Sequence, residues 1–245
     1  MSERLLYGFH PVLARLRQSP ATVHEVLANS GRQDARMCDL VELAENAGVR
    51  VRLLPGEALN KLAGHARHQG VVARVEVVAM SHSLDDILDA ATTPPLVLVL
   101  DGVTDPHNLG AILRSADAFG AHAVVAPKDR AAGLNATVEK VASGAAQLVP
   151  YLMVTNLSRT LGELKERNLW TVATVMETST PLSAIDAKSG IAWVLGAEGS
   201  GLRRLTRETC DAAATIPMQG SVASLNVSVS AALCLYETQR QRTSR

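Results

Sequence analysis

From residue 96 onward the chain repeats one pattern: a short run that is apolar at consecutive positions, a turn, and a helical stretch. Strands are predicted at 96–100, 122–126, 149–154, 169–175, 191–195 and 212–216, and helices at about 109–119, 134–145, 157–167, 202–209 and 225–240. A strand that is apolar on both sides must be covered on both faces, and the intervening helices supply the covers. The pattern therefore specifies an α/β fold with a mostly parallel sheet. Ligands of such sheets sit beyond the carboxyl ends of the strands, which directs attention to the loops after residues 100, 195 and 216.

The 245 residues allow one large domain or two modest ones, and 47% hydrophobic residues are too many for a disordered chain. The texture changes between Ala79 and Pro95, where an acidic, small-residue stretch ends in Pro94-Pro95 and reads as a linker with one helical turn. Three regions follow: 1–77, a small α/β domain; 78–95, the linker; and 96–245, the parallel-sheet domain. In the first, Val23–Ala28, Val49–Leu54 and Val71–Val77 read as strands, with helices near 34–47 and 57–63. Overall charge is neutral, with 24 basic and 24 acidic side chains, which argues against bulk electrostatic attraction to nucleic acid. The balance conceals an asymmetry: residues 1–75 hold 10 basic and 7 acidic side chains, and the remainder 14 and 17. Alternation in Val49-Arg50-Val51-Arg52 puts both arginines on one face, either a basic binding side or a solvated edge strand.

Cys38, Cys210 and Cys234 are far apart and form no C-x-x-C pair, so neither a disulfide framework nor a metal site is expected. The charged start lacks a signal peptide's apolar core, and no apolar run approaches the ~20 residues of a membrane span. The expected location is the cytoplasm, with no membrane partner.

Three segments carry candidate chemistry. In the first, Leu100-Asp101-Gly102-Val103 leads through Asp105-Pro106-His107 to Asn108-Leu109-Gly110-Ala111 and Arg114-Ser115-Ala116. Asn108 is suited to cap a helix whose Leu109, Ile112, Leu113, Ala116 and Phe119 share a face. Arg114 lies off that stripe. An arginine near a helix N-terminus opposes the macrodipole, so it marks either an anion site shared with backbone N–H groups or a solvated side chain. His107 reads as a surface or capping residue.

The second segment, Leu195-Gly196-Ala197-Glu198-Gly199-Ser200-Gly201-Leu202-Arg203, sets three glycines between a strand and a helix, permitting positive φ and close approach to a ligand. It is not a phosphate loop, because Leu202-Arg203 stands where Lys-Ser/Thr is required and Glu198 would repel phosphates. The third runs from Ile216-Pro217-Met218 through Ser224-Leu225-Asn226-Val227-Ser228 into a helix expected to be buried all round. Ser224 and Asn226 at its mouth need partners, local capping being the simplest.

Taken together, the three segments resemble the motifs of the SpoU branch of the SPOUT methyltransferases, which use S-adenosyl-L-methionine (AdoMet) to methylate ribose 2′-hydroxyls in RNA. Tyr7-Gly8-Phe9-His10-Pro11-Val12 and Arg67-His68-Gln69-Gly70-Val71 look like the borders of the RNA-binding domain of the bacterial subgroup that modifies large-subunit ribosomal RNA. That domain is similar to a ribosomal-protein fold.

The resemblance implies a trefoil-knotted C-terminal domain, which chain-topology rules would not propose. It implies an AdoMet pocket of Gly196, Ile216, Met218, Leu225 and Asn226, and catalytic roles for Asn108, Arg114, Glu198, Ser224 and Asn226. A homodimer through the catalytic domain, with sites drawn from both subunits, is implied too. The implied substrate is 23S rRNA or a large-subunit precursor, at the P-loop guanosine of the peptidyl-transferase centre. Other rRNA or tRNA riboses, a non-catalytic assembly factor and a nucleotide-dependent enzyme remain as alternatives. A guanidinium keeps its proton in ordinary sites, so Arg114 is expected to act electrostatically, with the substrate phosphate or Glu198 taking the hydroxyl proton.

Overall fold

The protein is described by a computed structural model, in which residues 3–64, 68–76 and 83–243 are described. Arg67 of the second border motif, Val77 of the expected third strand and residues 78–82 of the expected linker lie outside the described residues. The chain divides into two compact units, residues 1–80 and 81–245.

The first unit contains β1 (Glu3–Tyr7), α1 (Phe9–Gln18), β2 (Val23–Asn29), α2 (Ala35–Asn46), β3 (Arg50–Leu54), α3 (Gly56–Ala63) and β4 (Val71–Glu76). Its sheet has the order β1-β4-β2-β3, with β2 and β3 parallel and β4 antiparallel to β1 and β2. On one face, Phe9, Val12 and Leu16 of α1 and Met37, Leu40 and Ala44 of α2 pack with Val26, Ala28, Ala73 and Val75. On the other, Leu59 and Ala63 of α3 cover Leu27 and Val72. The reading of the sequence did not place β1 or α1. Pro11 obscures the helix, but as the third helical residue it lies where backbone N–H groups have no intrahelical acceptor, so it breaks nothing. β3 is an edge strand, and Arg52 is engaged there: its Nη1 lies 3.5 Å from Glu25, which also accepts from Arg74 Nε at 2.8 Å.

In the second unit, α4 (Leu84–Asp89) occupies part of the stretch read as linker and sends Leu88 into the core beneath the second sheet. There follow β5 (Leu96–Asp101), α5 (Pro106–Ala118), β6 (Ala123–Pro127), α6 (Ala136–Ala142), β7 (Tyr151–Val154), α7 (Leu157–Glu166), β8 (Trp170–Thr174), β9 (Ile191–Gly196), α8 (Arg204–Thr209), β10 (Ala212–Ala214) and α9 (Val227–Thr243). All six strands are parallel, in the order β10-β8-β9-β5-β6-β7. Leu98, Leu100, Trp193 and Leu195 pack with α5, α6 and α9 on one face, and Val97, Val99, Ala192 and Val194 pack with α4 and α7 on the other. This two-sided burial is why the strands read as unbroken apolar runs.

Three local expectations are corrected. α5 begins at Pro106, three residues earlier than the apolar stripe suggested, and its N-cap is Asp105, whose carboxylate accepts from His107 N at 2.9 Å. Asn108 is thus a buried residue inside the first turn rather than the cap. Arg114, the ninth residue of the helix, is about 12 Å along the axis from its start, so neither macrodipole strain nor an anion shared with the first-turn N–H groups applies. Finally, α9 is not buried all round: Val229 is 46% and Tyr236 54% exposed.

The buried face of α9 is fastened to the sheet by Trp193 Nε1, which donates to Thr238 Oγ1 at 2.9 Å with both residues fully enclosed. Replacing Thr238 with valine keeps the shape and strands the indole N–H. We expect a loss of about 1–3 kcal/mol in urea unfolding; an unchanged midpoint would contradict this fastening role.

Candidate active site

The site is built where β8 and β9 end. Gly196, the last residue of β9, leads into a tight reversal in which Ala197 and Gly201 exchange backbone hydrogen bonds of 3.2 and 3.0 Å. A Cβ on Gly196 would lie 2.2 Å from the carbonyl carbon of Gly201, so the chain can fold back here only over glycine. The reversal is anchored from the neighbouring strand: the buried carboxylate of Asp101, at the end of β5, accepts from Arg203 N at 3.1 Å and from Arg203 Nε at 2.6 Å. Gly102 (φ 88°) lets this corner close, since its Cβ position is 3.2 Å from Ala197 Cβ. With the β5 side filled, the open space lies on the β8 side.

That space is a cavity of about 460 Å³, a volume suited to a ligand of a few hundred daltons. Its walls include Gly196 to Leu202, Ile216, Met218, Ala223, Ser224, Leu225 and Val227. Of the expected cofactor residues, Gly196, Ile216, Met218 and Leu225 line it, whereas Asn226 is not among the lining residues. The sequence reading missed Thr174 to Glu177 and Arg207, which complete the opposite wall and carry an Arg207–Glu177 ion pair at 3.4 Å. The end of β8 is also a strand carboxyl end and could have been nominated on that ground.

Asn108, Glu198 and Asn226 come from three separate segments and meet in one network. Asn108 Nδ2 donates to Glu198 Oε1 at 3.2 Å, while Asn226 Nδ2 lies 2.6 Å from the same oxygen and 3.0 Å from Asn108 Oδ1. Val227 N donates to that carboxylate oxygen too, at 3.3 Å. Asn226 also caps α9, its Oδ1 accepting from Ser228 N at 2.9 Å, so local capping and long-range attachment are served by one side chain. Glu198 Oε1 is the shared acceptor that sets the three segments in register. Glu198→Ala should therefore loosen the cavity wall and weaken calorimetric AdoMet binding about tenfold, equivalent to ~1.4 kcal/mol. Wild-type affinity in that variant would contradict the positioning role.

Ser224 lines the cavity and is exposed, so it bears no burial penalty. Arg114 is exposed, is not among the residues of the cavity wall and has no hydrogen-bonding or ionic partner among the described residues. It points about 120° around α5 from Asn108. His107 is exposed as well. Burial pushes the Cys210 and Cys234 thiols up to about 12, so neither offers a nucleophile. Among the described residues no cluster of side chains suits a metal ion, and no helix is long and apolar enough to cross a membrane.

Residues 95–236 match the SpoU rRNA Methylase family, and residues 5–79 match the family described as RNA 2′-O ribose methyltransferase substrate binding. The 23S rRNA (guanosine-2′-O-)-methyltransferase RlmB of Bordetella pertussis is 56% identical over 241 residues, covering 98% of each chain. The protein of that name from Escherichia coli K12 is 49% identical over 245 residues, covering 99% of this chain and all of its own. Among solved structures, the SpoU methyltransferase AviRb from Streptomyces viridochromogenes, in complex with AdoMet, aligns with a TM-score of 0.70 and 25% identity. That alignment covers 98% of this chain and 90% of AviRb.

Proposed function

The chain belongs to the SpoU rRNA Methylase family, and on that premise we propose that it transfers the methyl group of AdoMet to a guanosine 2′-hydroxyl of 23S rRNA, at the P-loop of the peptidyl-transferase centre. The observation that carries the reading is the convergence of three distant segments on one network, Asn108, Glu198 and Asn226, whose Glu198 lines a cavity of cofactor size. The residues present fit AdoMet: Leu195, Ile216, Met218 and Leu225 offer an apolar slot, and the backbone of the 196–202 reversal offers polar groups beside it. When bound, AdoMet supplies a methyl group activated by a sulfonium.

What remains for the protein is to place the ribose oxygen in line and to stabilise the charge that develops on it. Asn108, Glu198 and Asn226 hold the cavity wall, and with Oε1 already shared among three donors, Glu198 is a positioning residue. Ser224, exposed at the rim, is placed to meet the nucleotide. Arg114 engages the ribose-phosphate and the developing negative charge, and the substrate phosphate takes the proton.

Arg114 is absent from the wall of its own chain's cavity, which favours a site completed by a second copy. The surface of α5 and α9 supports this. Val229 and Tyr236 are exposed there, and Phe119 meets Tyr236 edge-on with ring centroids 6.1 Å apart. We assign a homodimer to this apolar face, with Arg114 of one subunit serving the cavity of the other. Activity on ribosomal RNA supports a cytoplasmic location.

The reading is tested by incubating the purified protein with tritiated AdoMet and an unmodified 23S rRNA transcript. Label in a single 2′-O-methylguanosine is expected. Label on a base, or on tRNA in preference to this transcript, would contradict it.

A further inference from the structure

The two border motifs of the first unit, far apart in the chain, close on each other where Gly8 N donates to Val71 O at 2.9 Å, and Asn29 N of β2 donates to Gly70 O at 2.9 Å. Between them sits a compact cationic group. The guanidinium carbons of Arg32 and Arg36 lie 4.7 and 4.6 Å from the centroid of the Phe9 ring, which is wholly buried beneath them. Two cations held against one ring are within roughly a Debye length of each other, and so repel. Arg32 is compensated, since it pairs with Asp34 and donates to the carbonyl of Gln69 at 2.6 Å. Arg36 is exposed and meets no carboxylate among the described residues; its side-chain polar contact is with the imidazole of His10, Nη2 to Nε2 at 3.1 Å.

A guanidinium that is stacked, oriented by an imidazole nitrogen and short of a counter-charge is preorganised for an anion. We propose that His10, Arg32 and Arg36, set on Phe9, form a phosphate-binding subsite of the first unit that grips the sugar-phosphate backbone of the rRNA substrate. The subsite rests on the RNA-substrate reading above. None of these residues lines the cavity of the second unit. The subsite's function is to raise the occupancy of RNA, leaving the chemical step unchanged. Backbone contacts of this kind carry little sequence information and a marked salt dependence.

The test uses the full chain, a transcript of the 23S rRNA peptidyl-transferase domain, and binding isotherms across a salt series. Arg36→Ala should weaken binding about five- to tenfold near 0.15 M salt and reduce the log–log salt slope by about 0.7–0.9. KM for RNA should rise by the same factor, with kcat and AdoMet affinity unchanged. Arg36→Lys should keep the slope but lose part of the affinity, because the charge survives and the planar stack does not. Arg50→Ala, which removes an exposed cation of the same unit from outside the cluster, should leave affinity within twofold. Wild-type affinity and slope in Arg36→Ala would overturn the subsite, as would an equal loss in Arg50→Ala, which would reveal diffuse attraction. Absence of saturable transcript binding by the unaltered chain would instead overturn the RNA-substrate reading, and the subsite with it.

Discussion

Replacing Arg114 with alanine is expected to lower kcat by at least ~100-fold while leaving AdoMet affinity within twofold. The magnitude follows from removing one preorganised donor to a developing oxyanion, which costs about 10²–10³ in rate. The selectivity follows from position, since Arg114 is exposed and takes no part in the cavity wall or in its supporting network. Arg114→Lys should recover little, because a point charge cannot reproduce a planar fork on a phosphate and an alkoxide together. Single-turnover measurements at saturating RNA and AdoMet distinguish this from a binding defect. Near-normal turnover in Arg114→Lys would remove the specific guanidinium role.

The second large effect is expected at Gly196. An alanine methyl there would occupy space already filled by the backbone of Gly201 and Leu202, at 2.2–2.5 Å, and no rotamer can relieve a clash between main-chain atoms and Cβ. The reversal must open, with overpacking costs of at least ~1–3 kcal/mol, and the cavity wall opens with it. AdoMet binding should fall below calorimetric detection, whereas the circular dichroism of a folded α/β protein persists. Affinity within twofold of wild type would show that the close approach is dispensable.

Together the two variants test the shared site. If each cavity uses Arg114 from the other subunit, mixing Arg114→Ala with Gly196→Ala chains under exchange conditions restores one intact site per heterodimer, or roughly a quarter of wild-type activity for random pairing. Sites complete within one chain would show no recovery, since each chain would then carry one disabled part.

The parallel sheet was legible because a strand covered on both faces has no polar alternation to disguise it, as in Leu96–Leu100 and Ile191–Leu195. The loops after β9 and β10 followed from the rule about strand ends, and both line the cavity. Other features depend on distances that no local pattern encodes. Asn108 looked like a helix cap because its type suits one; Asp105, three residues earlier, suits the role equally and holds it, freeing Asn108 to reach Glu198 and Asn226. The helical stripe gave the phase of α5 but not its first residue, so Arg114 seemed closer to the N-terminus than it is. Val229 and Tyr236 are apolar and would be read as core on any helix, yet they face outward on α9, on the surface assigned to the dimer. In the first unit, the charge excess of residues 1–75 pointed to a basic side. The structure sorts its members, pairing Arg52 with Glu25 and leaving Arg36 without a counter-charge among the described residues.

Methyl transfer to one ribose of 23S rRNA is read out by comparing rRNA from a strain lacking this gene with that of its parent, using nuclease digestion and mass spectrometry. The expected result is the loss of a single 2′-O-methylguanosine, in the P-loop of the peptidyl-transferase centre, restored by the wild-type gene and not by the Arg114→Ala form. An unchanged set of ribose methylations in the deletion strain would contradict it.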